Sequence, residues 1–186
     1  MEASRRVIPH KGTAHAIEVA RRSGRRLAIA GIVQDEEYFR TEVEPHVDGD
    51  RVRYLGPVSA TERVATLGGA HALLHVIDFD EPFGYSVVEA MACGTPVIAM
   101  ARGSMAELVR HRSTGYLVSD LDAAVDAVDL VGDLDRGAIR SSAAKRFDVG
   151  RMVDQYVATY RTILDEGDPG GDAATPRIAE GGARLW

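Results

Sequence analysis

One cysteine, Cys93, in 186 residues leaves no partner for an internal disulfide and too few thiols for a cysteine-built zinc site. That usage suits a reducing compartment, and the expected location is cytoplasmic. Positive charge is also short: 22 Lys and Arg against 28 Asp and Glu give a net charge of -6. A nucleic-acid binder held by phosphate neutralisation is therefore not expected. No apolar run approaches the roughly 20 residues that a membrane span needs, so no span is expected. The opening MEASRRVIPHKG has an arginine pair but no apolar core behind it, and does not read as a secretory signal. What is present is ordinary for a folded domain, with 45% hydrophobic and 27% charged residues. The length suffices for one domain with a full core and is short for two.

Along the chain, helical and strand-like patterns alternate. TAHAIEVARRSG has helical apolar spacing and stops at Gly24, RLAIAG reads as a buried strand, and DEEYFRTEVEPHV as an amphipathic helix capped by Asp35. RVRYLG is a strand, and Ser59 with Glu62 at capping-box spacing starts the next helix. ALLHVID, TPVIAM and GYLV are further strands, interleaved with helices in GYSVVEAMACG, SMAELVRH and LDAAVDAVDLVG. Two more helices are expected, near 136–146 and 149–164. From 166 onward the chain is rich in Gly, Pro and Ala without periodicity and is expected to be a disordered tail, residues 166–186. Strands alternating with helices imply an α/β domain over residues 1–165, a Rossmann-like, doubly wound parallel sheet. Ligands of such sheets bind beyond the carboxyl ends of the strands, so the turns after the strands are the places to inspect.

The turn after ALLHVID holds the most informative stretch, DEPFGYSVVEAMACGTPVIA. Glu81 and Glu89, with seven residues between them, flank a Phe83-Gly84 pair and the start of a helix. Gly84 lacks a Cβ and lets the backbone approach a ligand closely. The N–H groups of Tyr85, Ser86 and Val87 form a helix N-terminus, which suits a phosphate. Ionised carboxylates only accept hydrogen bonds, so hydroxyls are their natural partners. Hydroxyls on either side of a phosphate describe a nucleotide sugar. Taken alone, two glutamates at this spacing also fit a solvated helix face.

EPFGYSVVEAMACGTPVIA resembles the signature of the family 4 (group 1) glycosyltransferases, retaining enzymes of the GT-B fold with two Rossmann-like domains. The resemblance runs from about Arg6 to Leu164 and implies the C-terminal, donor-binding half. It implies that Glu81 holds hydroxyls of the transferred sugar and Glu89 the ribose, while Phe83, Gly84, Tyr85 and Ser86 present the turn to sugar and diphosphate. Tyr85 stands where Leu is more usual. RVIPHKG resembles the family's R-x4-K-G segment, which makes Arg6 and Lys11 the cations that neutralise the diphosphate. Without that context Lys11 is equally an ordinary solvated lysine before a helix. Gly31, Gly56 and Val58 follow strands and are expected to border the nucleotide. ARGSMAELV resembles the family's G-x-P-E loop, with Ala106 in place of Pro. Ser104 there is either near the donor or a helix cap. His71 and His75 share no ligand spacing and are expected to be satisfied core or surface histidines, and Cys93 to pack.

The resemblance implies a hexosyltransferase-type, retaining and metal-independent reaction, with a UDP-, GDP- or ADP-sugar as substrate and no cofactor. It also implies an acceptor-binding N-terminal domain, to which nothing in these 186 residues corresponds. The first strand of the donor domain, central in a doubly wound sheet, is expected to be missing or degenerate, with SRRVI as at best a short substitute. The chain is accordingly expected to be a fragment or truncated copy, inactive alone and completed by a separate acceptor-binding domain or chain. The alternative is an inactive nucleotide-sugar-binding module or remnant.

Overall fold

The computed structural model describes residues 2–3 and 6–165, with only the backbone of Glu2 and Ala3 included. The expected disordered tail, 166–186, lies outside the described residues. The chain divides into two bodies, Met1–Ala143 and Ala144–Trp186. The strands are β1 (Glu2–Ala3), β2 (Arg6–Val7), β3 (Leu27–Ala30), β4 (Ile32–Val33), β5 (Val52–Gly56), β6 (Leu73–His75), β7 (Val97–Met100) and β8 (Gly115–Val118). The helices are α1 (Thr13–Ser23), α2 (Glu36–Tyr38), α3 (Ala60–Gly69), α4 (Tyr85–Ala92), α5 (Met105–Leu108), α6 (Leu121–Leu130), α7 (Arg136–Arg146) and α8 (Val149–Asp165). None of them is long and apolar enough to cross a membrane.

Six strands form one sheet in the order β5-β3-β1-β6-β7-β8, with every pairing parallel. This is the expected doubly wound α/β sheet. Its central strand is degenerate rather than missing. Glu2 pairs with both Ala28 and Leu73, and Ala3 pairs with Ile29. The gap between LAIA and LLHVI is thus bridged by two residues upstream of SRRVI. Main-chain N–H and C=O groups make these pairings whatever the side chain, so a strand containing Glu2 escapes a search for apolar runs. Arg6 and Val7 do pair, but elsewhere: they lie beside Ile32 and Val33 in a second, two-stranded parallel sheet. A short strand within SRRVI was expected at most as a substitute for the central strand, not in this ribbon, and β4 was not expected.

The local signals behave as their chemistry requires. The Asp35 carboxylate accepts from Tyr38 N–H at 2.9 Å, after which the helix continues through a wide turn at Phe39–Val43 and a tight one at Glu44–His46. Ser59 and Glu62 form a reciprocal capping box, Asp120 caps α6, and Gly24 closes α1 at φ 68°. The core on one face of the sheet joins Ala16, Ile17 and Ala20 of α1 to Ala124, Ala127 and Val128 of α6 over Ile29, Leu74, Val76 and Ile98. Burying each of the valine, leucine and isoleucine side chains among them contributes about 1.5–3 kcal/mol. The Arg22–Asp122 pair between the same helices and the Arg25–Asp129 pair just past the end of α1 are solvent-facing and add little. In the second body, α8 carries Val149, Val153, Tyr156, Tyr160 and Ile163 along one stripe.

Gly12 sets how close α1 comes to the strand-end loop that follows β6. Its φ is 72°, and a Cβ there would lie 2.1 Å from the Val76 carbonyl oxygen. Gly12→Ala is therefore expected to destabilise the chain by roughly 2 kcal/mol or more, through strain and a backbone clash together. A urea midpoint within error of wild type would show that this approach is not tight.

Candidate functional site

The strand order reverses across β1, so the crevice of this sheet opens over the carboxyl ends of β1 and β6. Two loops meet there, 8–12 leading into α1 and 76–84 leading into α4. They are stitched together by main chain and side chain alike. Asp78 N–H donates to the His10 carbonyl at 2.9 Å, and His15 Nδ1 lies 3.2 Å from the Val76 carbonyl oxygen, to which it donates. The His10 ring stands edge-on to Phe79. Lys11 Nζ sits 4.4 Å from the centre of the Phe79 ring and 2.5 Å from Glu81 Oε2. Both partners of this ion pair are largely withdrawn from water, at 12% and 15% exposure. Charge-assisted hydrogen bonds are stronger than neutral ones, and removing one partner leaves the other poorly solvated.

From Glu81 the chain turns through Gly84, which has φ 93° and would bring a Cβ within 2.7 Å of Met105 Cε. The left-handed backbone thus favours glycine here independently of any ligand, and a Cβ would in addition have to displace the end of the Met105 side chain. The N–H groups of Val87 and Val88 both return to the Gly84 carbonyl. Val87 is consequently not a donor to the crevice, and the outward amides at this end are those of Tyr85 and Ser86. Tyr85 is 68% exposed and its ring rests 4.7 Å from that of Phe83. Ser104 does not cap α5: its hydroxyl lies 2.9 Å from the Glu81 carbonyl and 2.7 Å from that of Phe83.

Glu89, on α4, faces Arg63 of α3, with Nε 3.7 Å from Oε1. Gly31 N–H donates to the Gly56 carbonyl at 2.9 Å, and Tyr54 Oη donates to the Gly31 carbonyl at 2.8 Å. The two loops expected to border a nucleotide are therefore joined, with half-buried Val58 just beyond. Arg6 lies on β2, registered with Ile32 directly after Gly31. The structure thus brings Lys11 onto Glu81, and Gly31 onto Gly56. Among the described residues, no group of three or more His, Cys, Asp or Glu side chains could hold a metal ion.

His75 departs from the expected satisfied histidine. His71 is satisfied, its Nε2 lying 2.8 Å from the Val128 carbonyl. His75 is 6% exposed, and its Nε2 has no hydrogen-bond partner among the described residues. Burial pushes its pKa down to about 4, against the pull of Glu81 and together with the repulsion of Lys11. The ring is therefore neutral at physiological pH. Arg63 and Phe79 also touch the candidate residues without having stood out in the sequence, while Ser104, expected either near the donor or as a helix cap, lies on the Glu81 turn. For Ser104 the available signal was its place in the turn that follows β7.

Comparison with known proteins identifies the family and the fold. The model of the glycosyl transferases group 1 family matches residues 3–144. The chain is 37% identical over 150 residues to D-inositol 3-phosphate glycosyltransferase of Mycobacterium tuberculosis, covering 73% of this chain and 31% of the relative. Its fold is similar to that of AviGT4, a glycosyltransferase involved in avilamycin A biosynthesis, with a TM-score of 0.76 and 30% identity, over 89% of this chain and 51% of AviGT4. It is also similar to HepE of Anabaena in complex with UDP and glucose, with a TM-score of 0.71 and 22% identity over 87% and 47% of the two chains. The chain belongs to the group 1 glycosyltransferase family, and its architecture is that of the C-terminal half of a GT-B enzyme. It spans about a third of the length of the mycobacterial relative.

The buried histidine makes acid stability a direct check. Its folded pKa of about 4 lies below the unfolded 6.5, so the unfolded state binds the proton first. Stability is unaffected above pH 6.5 and falls as the pH drops from 6.5 to 4, by about 3 kcal/mol in total. In His75→Leu that part of the decline is expected to vanish from urea midpoints measured across the interval. An unchanged pH profile would mean that the imidazole titrates normally.

Proposed function

We propose that this chain is the donor half of a retaining glycosyltransferase and binds a nucleotide-diphosphate sugar across the β1–β6 crevice. The observation that carries the proposal is the Lys11–Glu81 pair at the switch point, next to the helix end formed by Tyr85 and Ser86. A diphosphate placed there meets Lys11, Arg6 and the two amides. Glu81 accepts hydroxyls of the transferred sugar on one side, and Glu89 accepts ribose hydroxyls on the other. Phe83 and Gly84 shape the turn between them, while Gly31, Gly56 and Val58 border the base. As the glycosidic C–O bond breaks, negative charge grows on the departing phosphate. Fixed cations stabilise that charge, and one such contact is worth roughly 2.7–4 kcal/mol, about 100- to 1,000-fold in rate. Because protein cations neutralise the diphosphate, the transfer is proposed to proceed without a metal. Neutral His75 adds no competing charge beneath the pair.

Transfer also needs an acceptor held against the donor and shielded from water. We assign that task to a second domain or chain, so the 186 residues alone are expected to bind donor and transfer nothing. Detectable transfer by the 186-residue chain would sink this assignment. Binding itself is tested by calorimetry with UDP, GDP and ADP. One of them is expected to bind, in the presence of EDTA as in its absence, and Glu89→Ala to weaken it at least tenfold through loss of a charged hydrogen bond. Heat from none of the three would overturn the donor reading.

Glu81→Gln separates the two ends of the ligand. In the unliganded chain Lys11 is held by Glu81, and removing that negative charge leaves the lysine to the phosphates. The variant is expected to bind UDP several-fold more tightly than wild type at low salt. It is also expected to lose the added affinity that the sugar gives UDP-glucose over UDP. Equal weakening of both ligands would remove Glu81 from the sugar site.

A further inference from the structure

The loop after β7 and the turn that carries Glu81 lie backbone against backbone. A Cβ at Gly103, whose φ is 53°, would fall 2.6 Å from both the backbone nitrogen and the carbonyl oxygen of Glu81. Ser104 N–H donates to that same carbonyl at 3.0 Å. The Ser104 hydroxyl has one proton and two acceptors in reach, Glu81 O at 2.9 Å and Phe83 O at 2.7 Å. On the other side of Gly103, Arg102 Nη1 lies 3.0 Å from Asp78 Oδ1 and its Nε 3.7 Å from Asp80 Oδ1. A serine at the head of a helix ordinarily turns its hydroxyl on the helix's own amides. This one has helical backbone angles and makes no such bond. Its side chain is directed wholly at the Glu81 turn.

We infer that Ser104 is a positioning residue for Glu81, holding the 81–83 turn in the conformation in which that carboxylate meets the donor sugar. Loops are the mobile part of a doubly wound fold, and a carboxylate displaced by about 1 Å no longer makes its hydrogen bonds. Proline at 82 removes one amide from the turn, so the carbonyls of Glu81 and Phe83 are the handles by which it can be held. Ser104 takes both. The inference rests on the donor assignment of Glu81, which brings the sugar to this turn.

Ser104→Ala, Ser104→Thr and wild type are compared by calorimetry with UDP and with UDP-glucose, and by amide hydrogen exchange across residues 81–86. Thr114→Val is the control, since it removes an equally specific bond, Arg110 N–H to Thr114 Oγ1 at 2.9 Å, away from the crevice. In Ser104→Ala the affinity for UDP-glucose is expected to fall roughly fivefold to tenfold while that for UDP stays within twofold. Exchange across 81–86 is expected to quicken, Ser104→Thr to recover the sugar-dependent part, and Thr114→Val to leave both readouts as in wild type. Equal losses for UDP and UDP-glucose, or the same effect in Thr114→Val, would overturn the inference by reducing Ser104 to a general stabilising role. If wild type binds neither probe, the donor assignment fails by itself and exchange alone decides: faster exchange in Ser104→Ala supports the brace, unchanged exchange overturns it.

Discussion

A lysine and a glutamate 70 residues apart in the chain close on each other at 2.5 Å, and the geometry of the crevice hangs on that contact. Each is presented by a loop at a carboxyl end of the parallel sheet, on either side of the point where strand order reverses. Neither loop is a strand or an α-helix, and Lys11 ends a single tight turn at Pro9–Lys11, so the contact is only as well placed as the bonds that hold the loops. Those bonds are many: a main-chain bond from Asp78 to His10, a ring contact between His10 and Phe79, and the approach of Gly12 to Val76. Together they make two excursions of the chain behave as one surface.

Burial raises the stakes of this pair. Lys11 and Glu81 are both mostly shielded, so their attraction is screened less than that of the solvent-facing Arg22–Asp122 and Arg25–Asp129 pairs. Shielding also means that neither can be left alone cheaply. A diphosphate sugar suits such a site, because it offers negative charge to the lysine and hydroxyls to the glutamate at once. His75, buried next to the pair and neutral, fits the same economy of charge. Its lowered pKa follows from burial at the carboxyl end of β6, where the ring is largely shielded from water.

Much of the fold was legible from short-range pattern. Capping chemistry at Asp35 and Ser59, and glycine after α1, depend on residues within a turn of one another, and each stands in the structure as its spacing implies. Two features were not legible. The central strand is made by Glu2 and Ala3 through backbone pairing alone, and side-chain pattern carries no trace of that. The β2–β4 ribbon, two residues on each side, is too short for any periodicity. Gly84 reads in the sequence as a place for close approach to a ligand, whereas in the structure its left-handed backbone and the side chains of Met105 and Leu108 in the space of a Cβ already favour glycine.

What the sequence by itself determined is the class of fold and the segment in which to look. Alternating apolar patterns dictate a parallel sheet, and two glutamates around a strand-to-helix turn mark its crevice, because both are properties of neighbours in the chain. Only the tertiary structure decided that Lys11 lies on Glu81, that Ser104 grips the turn rather than its own helix, that Arg63 stands before Glu89, and that His75 Nε2 is buried with no hydrogen-bond partner among the described residues. Each of those joins segments separated by 20 residues or more, or depends on what covers a side chain. Distance in space is set by how the sheet winds, which no local run of residues encodes.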